Sequence, residues 1–349
     1  MTEVLALDTG VDTKQLEQYE STFDVKFRPP TDKECSDFDE MVARFAEASA
    51  SLTEDFGVDL TQPASYFVPP AFLTETLTPE QVAEINEELT GEVAEYCLGI
   101  QNNLRDVEIV DNLERLTYLP DLFARNNTFA TFSELPFHEA CGDWAGKERE
   151  WWVRDSVGTR LVVFGKLLES AGLSLQFEDA FRPVGVQEGL FRRRYSWTQD
   201  AHPDWTHEQK ISETKSKTAV TPRLASHKAG AAIDATLRDI QTGKPLNIGH
   251  EYPAGGALVF PKTPFLTHEQ WRNRQIFQVA AGLAGLTLYV GEDWHVSHGD
   301  NLASLDPHGN VRSDYVAKYG AIKKFDRESG EILEVYFQRE LDTEFSIKV

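Results

Sequence analysis

The spacing of apolar residues predicts helices in the first hundred residues. A stretch that follows Ser36 has helical spacing at Phe38, Met41, Val42, Phe45 and Ala48. A second helix is predicted to begin at Thr78, which can cap it, with Pro79 at the first position and Glu80 in the first turn. Its apolar stripe consists of Val82, Ile85, Leu89, Val93 and Cys97. Pro63, Pro69 and Pro70 predict a loop between the two helices.

The rest of the chain alternates between helical and extended patterns. Helices are predicted over residues 148–171, with Gly172 as a stop, and over residues 268–283. The polar residues 196–226 are predicted to be mostly loop. Strands are predicted where apolar residues alternate or cluster, namely from Leu173, over residues 231–237, over residues 287–296 and in a hairpin that turns at Ser329 and Gly330.

Charge divides the chain into two parts. The net charge of the 349 residues is −23. Residues 1–104 hold 22 acidic and 5 basic residues, whereas residues 105–349 hold 35 acidic and 29 basic residues. We therefore expect an acidic, mainly helical N-terminal extension over residues 1–104 and a catalytic domain over residues 105–349. Solvated helix faces are the ordinary explanation for the acidic residues, and a docking surface for a protein partner or a lid is the alternative.

Composition also excludes several classes of partner. The acidic excess argues against nucleic acid, because phosphate binding needs a basic surface, and it repels anionic membranes. No apolar run approaches the roughly 20 residues of a membrane helix. The N-terminus has no secretory leader pattern, and three scattered cysteines do not form a disulfide framework. These features predict a cytoplasmic protein with reduced thiols.

Two polar clusters interrupt apolar strands, and their spacing alone fits either a metal site or a hydrogen-bonded core histidine with an acid at a strand end. His227 and Asp234 flank a run of small residues, and Glu292 precedes His295 by three positions. An unpaired carboxylate within an apolar strand is costly, and a metal ion would stabilise it. His227, Asp234 and His295 would leave a fourth position open, as in catalytic zinc sites, with Glu292 as the general base. Nitrogen and oxygen ligands also suit Fe(II) and Mn(II).

Further motifs stand in a specific order around these clusters. Upstream lies Glu178-Asp179-Ala180-Phe181-Arg182-Pro183, and downstream lie Glu292-Asp293-Trp294-His295, Ser297-His298-Gly299-Asp300 and Tyr319-Gly320. In this order and spacing, residues 105–325 resemble the M15 zinc peptidases, most closely the D-alanyl-D-alanine dipeptidases. The hallmarks of that family are a D-x-x-R-P turn, an H-x-x-G-x-A-x-D ligand pair and an E-x-W-H segment.

The resemblance implies a role for each matching residue. Three residues match the family's Zn²⁺ ligands, namely His227, Asp234 and His295. Glu292 matches the catalytic base, and Arg182 matches the arginine that stabilises the oxyanion. Asp179 lies on the same turn and is expected to orient Arg182. The bulky ring of Trp294 could exclude water, and His298 is a possible contact to the ligands or the substrate.

Departures from the family pattern fall close to the site. Ala225 stands where the family often has a serine, which leaves Ser226, next to His227, as the candidate for binding the substrate. Asp293 replaces an aromatic residue beside Glu292, and strand alternation should turn the two side chains apart. The acidic extension is absent from compact family members. The family resemblance therefore predicts the type of reaction more directly than it predicts the substrate.

The resemblance implies an α+β fold, with a mostly antiparallel central sheet, packed helices and the metal at one end. The expected function is zinc-dependent hydrolysis of a small D-amino-acid dipeptide, with D-Ala-D-Ala as the leading substrate and a place in cell-wall metabolism. Two alternatives stay open: the same chemistry on muropeptide fragments or another small amide, and a non-catalytic binding protein that keeps the metal. Glu292 and Arg182 argue against a pure binder, which needs neither a base nor an oxyanion donor.

Overall fold

The computed structural model describes residues 13–58, 72–261, 263–306 and 309–343. The loop predicted around Pro63, Pro69 and Pro70 lies outside these ranges. The α-helices are α1 (Thr13–Phe23), α2 (Asp32–Phe56), α3 (Pro79–Glu88), α4 (Thr90–Leu104), α5 (Leu119–Arg125), α6 (Asp155–Glu169), α7 (Val184–Ala201), α8 (His207–Lys217), α9 (His268–Leu283) and α10 (Gln338–Leu341). Within the described ranges, no helix combines the length and the apolar character that crossing a bilayer requires.

The strands are distributed over several small sheets. They are β1 (Phe27–Arg28), β2 (Leu73–Thr74), β3 (Leu116–Tyr118), β4 (Ala130–Phe132), β5 (Trp152–Arg154), β6 (Leu173–Asp179), β7 (Ala232–Asp239), β8 (Thr287–Leu288), β9 (His295–Ser297), β10 (Ile322–Phe325) and β11 (Ile332–Val335). The largest sheet has the order β4-β6-β7-β9-β8. β4 pairs with β6 in parallel, and the other neighbours in this sheet are antiparallel.

The fold is therefore α+β, as expected, but the prediction of one mostly antiparallel central sheet is met only in part. The five-stranded sheet is mixed, and the remaining strands form two-stranded pairs, β1–β2, β3–β5 and β10–β11. The β10–β11 pair is the predicted hairpin, and Gly330 adopts a left-handed φ of 75° in its turn.

Several predicted elements have the observed type and position. Helix α9 spans the predicted residues 268–283. Helix α3 begins after Thr78, whose side chain accepts a hydrogen bond from the Gln81 amide in a capping box, with Pro79 at its start. The predicted stripe from Val82 to Cys97 continues across a break at Leu89, where α3 ends and α4 begins.

Three predictions of local structure were wrong in detail. The polar segment 196–226 is largely helical, because α7 continues to Ala201 and α8 follows with a capping box at Thr206. The helix predicted from residue 148 starts later, since residues 152–154 pair with β3 before α6 begins. The single strand predicted over residues 287–296 is divided into β8 and β9, with the residues between them forming a turn.

The acidic N-terminal helices share hydrophobic clusters with the rest of the chain. On α2, Phe38 and Phe45 belong to the same buried cluster as Phe164 of α6 and Trp271 of α9. Ile100 of α4 belongs to a second cluster, together with residues of the segment that leads into β9. The division between residues 104 and 105 stays a prediction, and these clusters place both parts against common apolar surfaces.

Candidate metal centre

The five-stranded sheet places three polar residues in a row at one end. Asp234 of β7 lies opposite Asp179 of β6 on one side and opposite His295 of β9 on the other. Residues directly opposite each other in antiparallel strands have their side chains close together. All three side chains are buried. Strand register therefore brings together residues that are separated by 55 and 61 positions along the chain.

His227 reaches this row from a short 3₁₀ helix, Ser226–Ala229. The helix ends at Gly230, which has a left-handed φ of 66° and where an added Cβ would lie 2.8 Å from Leu116 Cδ2. The Nδ1 atom of His227 lies 2.7 Å from the carbonyl oxygen of Ala180, which can only accept a hydrogen bond. Nδ1 therefore carries the proton, and Nε2 is the nitrogen that can bind a metal ion.

Three donor atoms converge at the end of the row. Asp234 Oδ1 lies 3.3 Å from His227 Nε2 and 2.9 Å from His295 Nδ1. The donor atoms of these three residues all lie within 4.8 Å of one another. On the other side of its ring, His295 directs Nε2 toward Ser226 Oγ at 3.3 Å. In each imidazole, the nitrogen that points away from Asp234 therefore has a partner of its own: Nδ1 in His227 and Nε2 in His295.

The donor set fits a transition-metal ion. Two imidazole nitrogens and one carboxylate oxygen are characteristic of catalytic zinc sites, in which a fourth position is open to water or substrate. The same ligands also suit other divalent ions such as Fe(II) and Mn(II). Within the described residues, His227, Asp234 and His295 are the group of histidine, cysteine and acidic side chains whose geometry suits a metal ion.

A network of charged residues surrounds the carboxylate of Asp234. Arg182 donates from Nη2 to Asp234 Oδ2 at 3.0 Å and from Nε to Asp179 Oδ2 at 2.8 Å. Arg149 also pairs with Asp179, at 2.9 Å. Burial alone would raise the pKa of Asp234, but the contacts of its carboxylate with the His227 and His295 imidazoles and the positive charge of Arg182 hold that pKa well below its usual range. Asp234 is therefore ionised, as a metal ligand must be.

Glu292 lies at the edge of the convergence. Its Oε2 atom is 3.9 Å from His295 Nδ1, and its side chain is 37% exposed. Loss of hydration and the nearby charge of Asp234 raise the pKa of Glu292 to about 7. A carboxylate with such a pKa can accept and release a proton near neutral pH, and a bound cation would shift its pKa downward.

Asp293 and Glu292 have different partners, but strand alternation is not the reason, because both residues lie in the turn between β8 and β9. Asp293 Oδ2 lies 2.9 Å from Arg274 Nε, and its Oδ1 lies 2.9 Å from His250 Nε2. The acid that replaces a family aromatic residue therefore pairs with two cationic or polar groups. Asp293 is buried, and a buried carboxylate without partners would cost free energy of folding, so these two partners stabilise it.

Two other residues named from the sequence lie beside the ligands in different ways. Trp294 is buried, and its ring packs against His250 at 5.1 Å and against Tyr252 at 5.4 Å, measured between centroids; its expected role in excluding water stays a prediction. His298 lies beyond the end of β9, and its Nδ1 atom contacts the carbonyl oxygen of Gly285 at 3.1 Å. A contact between His298 and substrate stays a prediction.

Sequence reasoning missed several residues around the site. Tyr252 donates a hydrogen bond to Asp234 Oδ2 at 3.0 Å, and Gln187 accepts one from Arg182 Nη1 at 3.4 Å. Arg149 and His250 were not singled out either. Tyr252 belongs to a long loop and carries no spacing signal, whereas Gln187 follows the Arg182-Pro183 motif and was part of the family pattern, although the sequence assigned it no role. The one available signal was indirect: a carboxylate in an apolar strand, such as that of Asp234, needs hydrogen-bond donors from elsewhere in the chain.

Comparison with known proteins agrees with this geometry. Residues 145–314 match the Peptidase_M15 family model, which is described as D-ala-D-ala dipeptidase. The matched range contains the three converging ligands, Glu292 and Arg182, whereas residues 1–104 lie outside it. No curated protein matches the chain. Members of this family are metallopeptidases that act on small peptides. Residues 145–314 are therefore recognised by sequence as an M15 peptidase region.

Proposed function

We propose that this protein is a zinc-dependent dipeptidase that hydrolyses a small D-amino-acid dipeptide, with D-Ala-D-Ala as the leading substrate. One observation carries the proposal. His227 Nε2, Asp234 Oδ1 and His295 Nδ1 converge, and Glu292 lies 3.9 Å from the last of these atoms. A ligand triad beside a half-buried carboxylate is the arrangement that metal-assisted hydrolysis requires.

Glu292 acts as the base in this proposal. When bound, zinc supplies Lewis acidity to the scissile carbonyl and to the attacking water. Glu292 takes a proton from that water and delivers it to the leaving amine nitrogen. Its partial exposure, 37%, leaves the carboxylate accessible to water and substrate. A pKa raised from the ordinary range suits both halves of this proton transfer.

Arg182 stabilises the negative charge that develops on the carbonyl oxygen. Two of its guanidinium nitrogens are held by Asp179 and Asp234, which fixes the plane of the group before substrate arrives. Among the described residues, the third nitrogen, Nη1, has a long contact of 3.4 Å with Gln187 Oε1, and it is the donor available to substrate. Donors that are fixed in advance stabilise a transition state without a cost of reorganisation.

A cytoplasmic location and a role in cell-wall metabolism are parts of the same proposal. The three cysteines of the described residues are unpaired, which favours a reducing compartment. A free dipeptide can be met in the cytoplasm, whereas intact peptidoglycan lies outside. Muropeptide fragments or another small amide are the alternative substrates for the same residues.

The decisive experiment compares wild-type protein with Glu292→Gln, both loaded with zinc. Release of free D-alanine from D-Ala-D-Ala is measured beside zinc content. We expect wild-type turnover, and in Glu292→Gln an unchanged zinc content with kcat lower by about 10²–10⁴-fold. His295→Ala should lose both zinc and turnover. Glu251→Gln is the matched control, because Glu251 is an exposed acid on a neighbouring loop.

Each outcome separates one part of the proposal from another. Full turnover by Glu292→Gln would eliminate Glu292 as the base. Zinc-loaded wild-type protein that leaves D-Ala-D-Ala intact would refute the leading substrate, and muropeptide fragments would then be assayed. Failure to hydrolyse any small amide, with zinc bound, would favour the non-catalytic binding protein.

A further inference from the structure

The loop that connects β7 to α9 closes one side of the metal centre. Its residues 246–260, here called the Tyr252 loop, are held by Arg274, whose side chain is almost completely buried. Arg274 donates to the carbonyl oxygens of three loop residues, Ile248 at 2.7 Å, Leu258 at 2.7 Å and Phe260 at 3.0 Å. Asn86 of α3 also accepts a hydrogen bond from the Ala257 amide, at 2.9 Å. The loop therefore has a defined position.

The same loop is fastened to the segment that carries Glu292 and His295. Asp293 uses one carboxylate oxygen for Arg274 and the other for His250 of the loop, each at 2.9 Å. The side chains of His250 and Asp293 are 6% and 2% exposed. A buried ion pair with both oxygens occupied is specific in geometry, because breaking it leaves an uncompensated charge. Any movement of the loop relative to His295 would strain this link.

The fixed loop places the Tyr252 hydroxyl on a metal ligand. Tyr252 donates to Asp234 Oδ2 at 3.0 Å, and Arg182 Nη2 donates to the same oxygen, also at 3.0 Å. The other carboxylate oxygen, Oδ1, faces His227 and His295. The Tyr252 ring packs edge-on against Trp294, with an interplanar angle of 88°. Two donors thus occupy one oxygen and leave the other for a cation.

We propose that Tyr252 is a positioning residue of the metal centre, which orients the Asp234 carboxylate so that Oδ1 faces the ion. This inference rests on the metal site of the proposed function, but it does not depend on the substrate. Partners of this kind hold a ligand in its binding geometry before the metal ion arrives, and their removal typically costs about 10–100-fold in metal affinity or activity. Because Arg182 shares the oxygen, we expect a loss at the lower end of this range.

The test is zinc affinity of the metal-free protein, measured by competition with a chromophoric chelator in the absence of peptide. Tyr252→Phe keeps the ring against Trp294 and removes only the hydroxyl. We expect its dissociation constant for zinc to rise about 10-fold. Tyr195→Phe is the matched control, since the Tyr195 hydroxyl bonds His207 Nδ1 at 2.7 Å, and neither residue belongs to the ligand set. Its affinity should equal that of the wild type.

A spectroscopic signature distinguishes positioning from general loosening of the fold. Cobalt(II) substituted for zinc should show a visible absorption spectrum that differs between wild-type and Tyr252→Phe protein, while the two metal-free proteins unfold at similar temperatures. Equal zinc affinity and equal cobalt spectra would overturn the inference. Wild-type protein that binds zinc but hydrolyses no dipeptide would refute the proposed dipeptidase function and leave the proposed role of Tyr252 intact. Wild-type protein that binds no zinc would refute both.

Discussion

Arg154 offers a test of how the short 3₁₀ helix Ser226–Ala229, which carries His227, is held in place. Its side chain is fully buried, and its guanidinium pairs with Asp111 at 2.7 Å, where the Asp111 side chain is only 9% exposed. It also donates to the carbonyl oxygens of Ala229 at 2.8 Å, Glu114 at 2.9 Å and Gly320 at 3.3 Å. Ala229 closes the short helix that carries His227, so one cation joins three segments to that helix.

The substitution Arg154→Met removes the cation and keeps much of the side-chain volume. Removal of one partner of a buried ion pair costs about 3–5 kcal/mol, because the other charge stays buried without compensation. The orphaned carbonyl groups add to this cost, although water that enters the space will satisfy part of it. We therefore expect the free energy of unfolding to fall by about 3–5 kcal/mol.

Urea unfolding, followed by tryptophan fluorescence and circular dichroism, measures this loss. Arg115→Ala is the control, since Arg115 forms an exposed ion pair with Asp155, with 66% of the arginine side chain exposed. Such surface pairs contribute about 0–1 kcal/mol. Arg154→Lys retains the charge but loses the planar fork, and should give an intermediate loss. A loss in Arg154→Met no greater than that in Arg115→Ala would refute the reasoning.

Two further predictions concern the N-terminal helices and the ligand shell. The guanidinium of Arg28 hydrogen-bonds Glu34 and lowers its pKa from 4.5 to about 2, so the stabilisation is present above pH 4.5 and is lost as the pH falls toward 2. Glu34→Gln should therefore show a smaller drop in thermal midpoint between pH 7 and pH 3 than the wild type, and an equal drop would contradict this. Ser226→Ala removes the hydroxyl 3.3 Å from His295 Nε2 and should weaken zinc binding by about 10-fold in a chelator competition. An unchanged zinc affinity with a raised KM would instead support the substrate-binding role expected from the family.

Local signals account for the elements that were predicted well. Helix α9 and the start of α3 carry a threonine cap and an apolar stripe, which depend only on neighbouring residues. The helix α8 was missed although Thr206 and Gln209 form the same capping box, because its residues are too polar to give an apolar stripe. The strand predicted over residues 287–296 is divided into β8 and β9, and Asp293, which lies in the turn between them, forms an ion pair with Arg274.

The three residues that could hold a metal ion were indicated by the sequence alone. His227 and Asp234 belong to one motif, in which a tight turn leads directly into a strand. Glu292 and His295 belong to a second motif. Within each motif the residues are near neighbours in sequence, so backbone geometry limits where their side chains can point. The order of the motifs then indicated the family, and the match over residues 145–314 bears this out.

What the sequence by itself indicated is the kind of chemistry: a family, three residues that could hold a metal ion and an acid beside them. Only the tertiary structure decided how those groups are held. Strand register sets Asp234 opposite His295, and a loop pinned by Arg274 delivers Tyr252 to the second oxygen of Asp234. These contacts join residues that no local pattern relates. They form because a buried carboxylate must find donors, and the donors within reach are set by the packing of the whole chain.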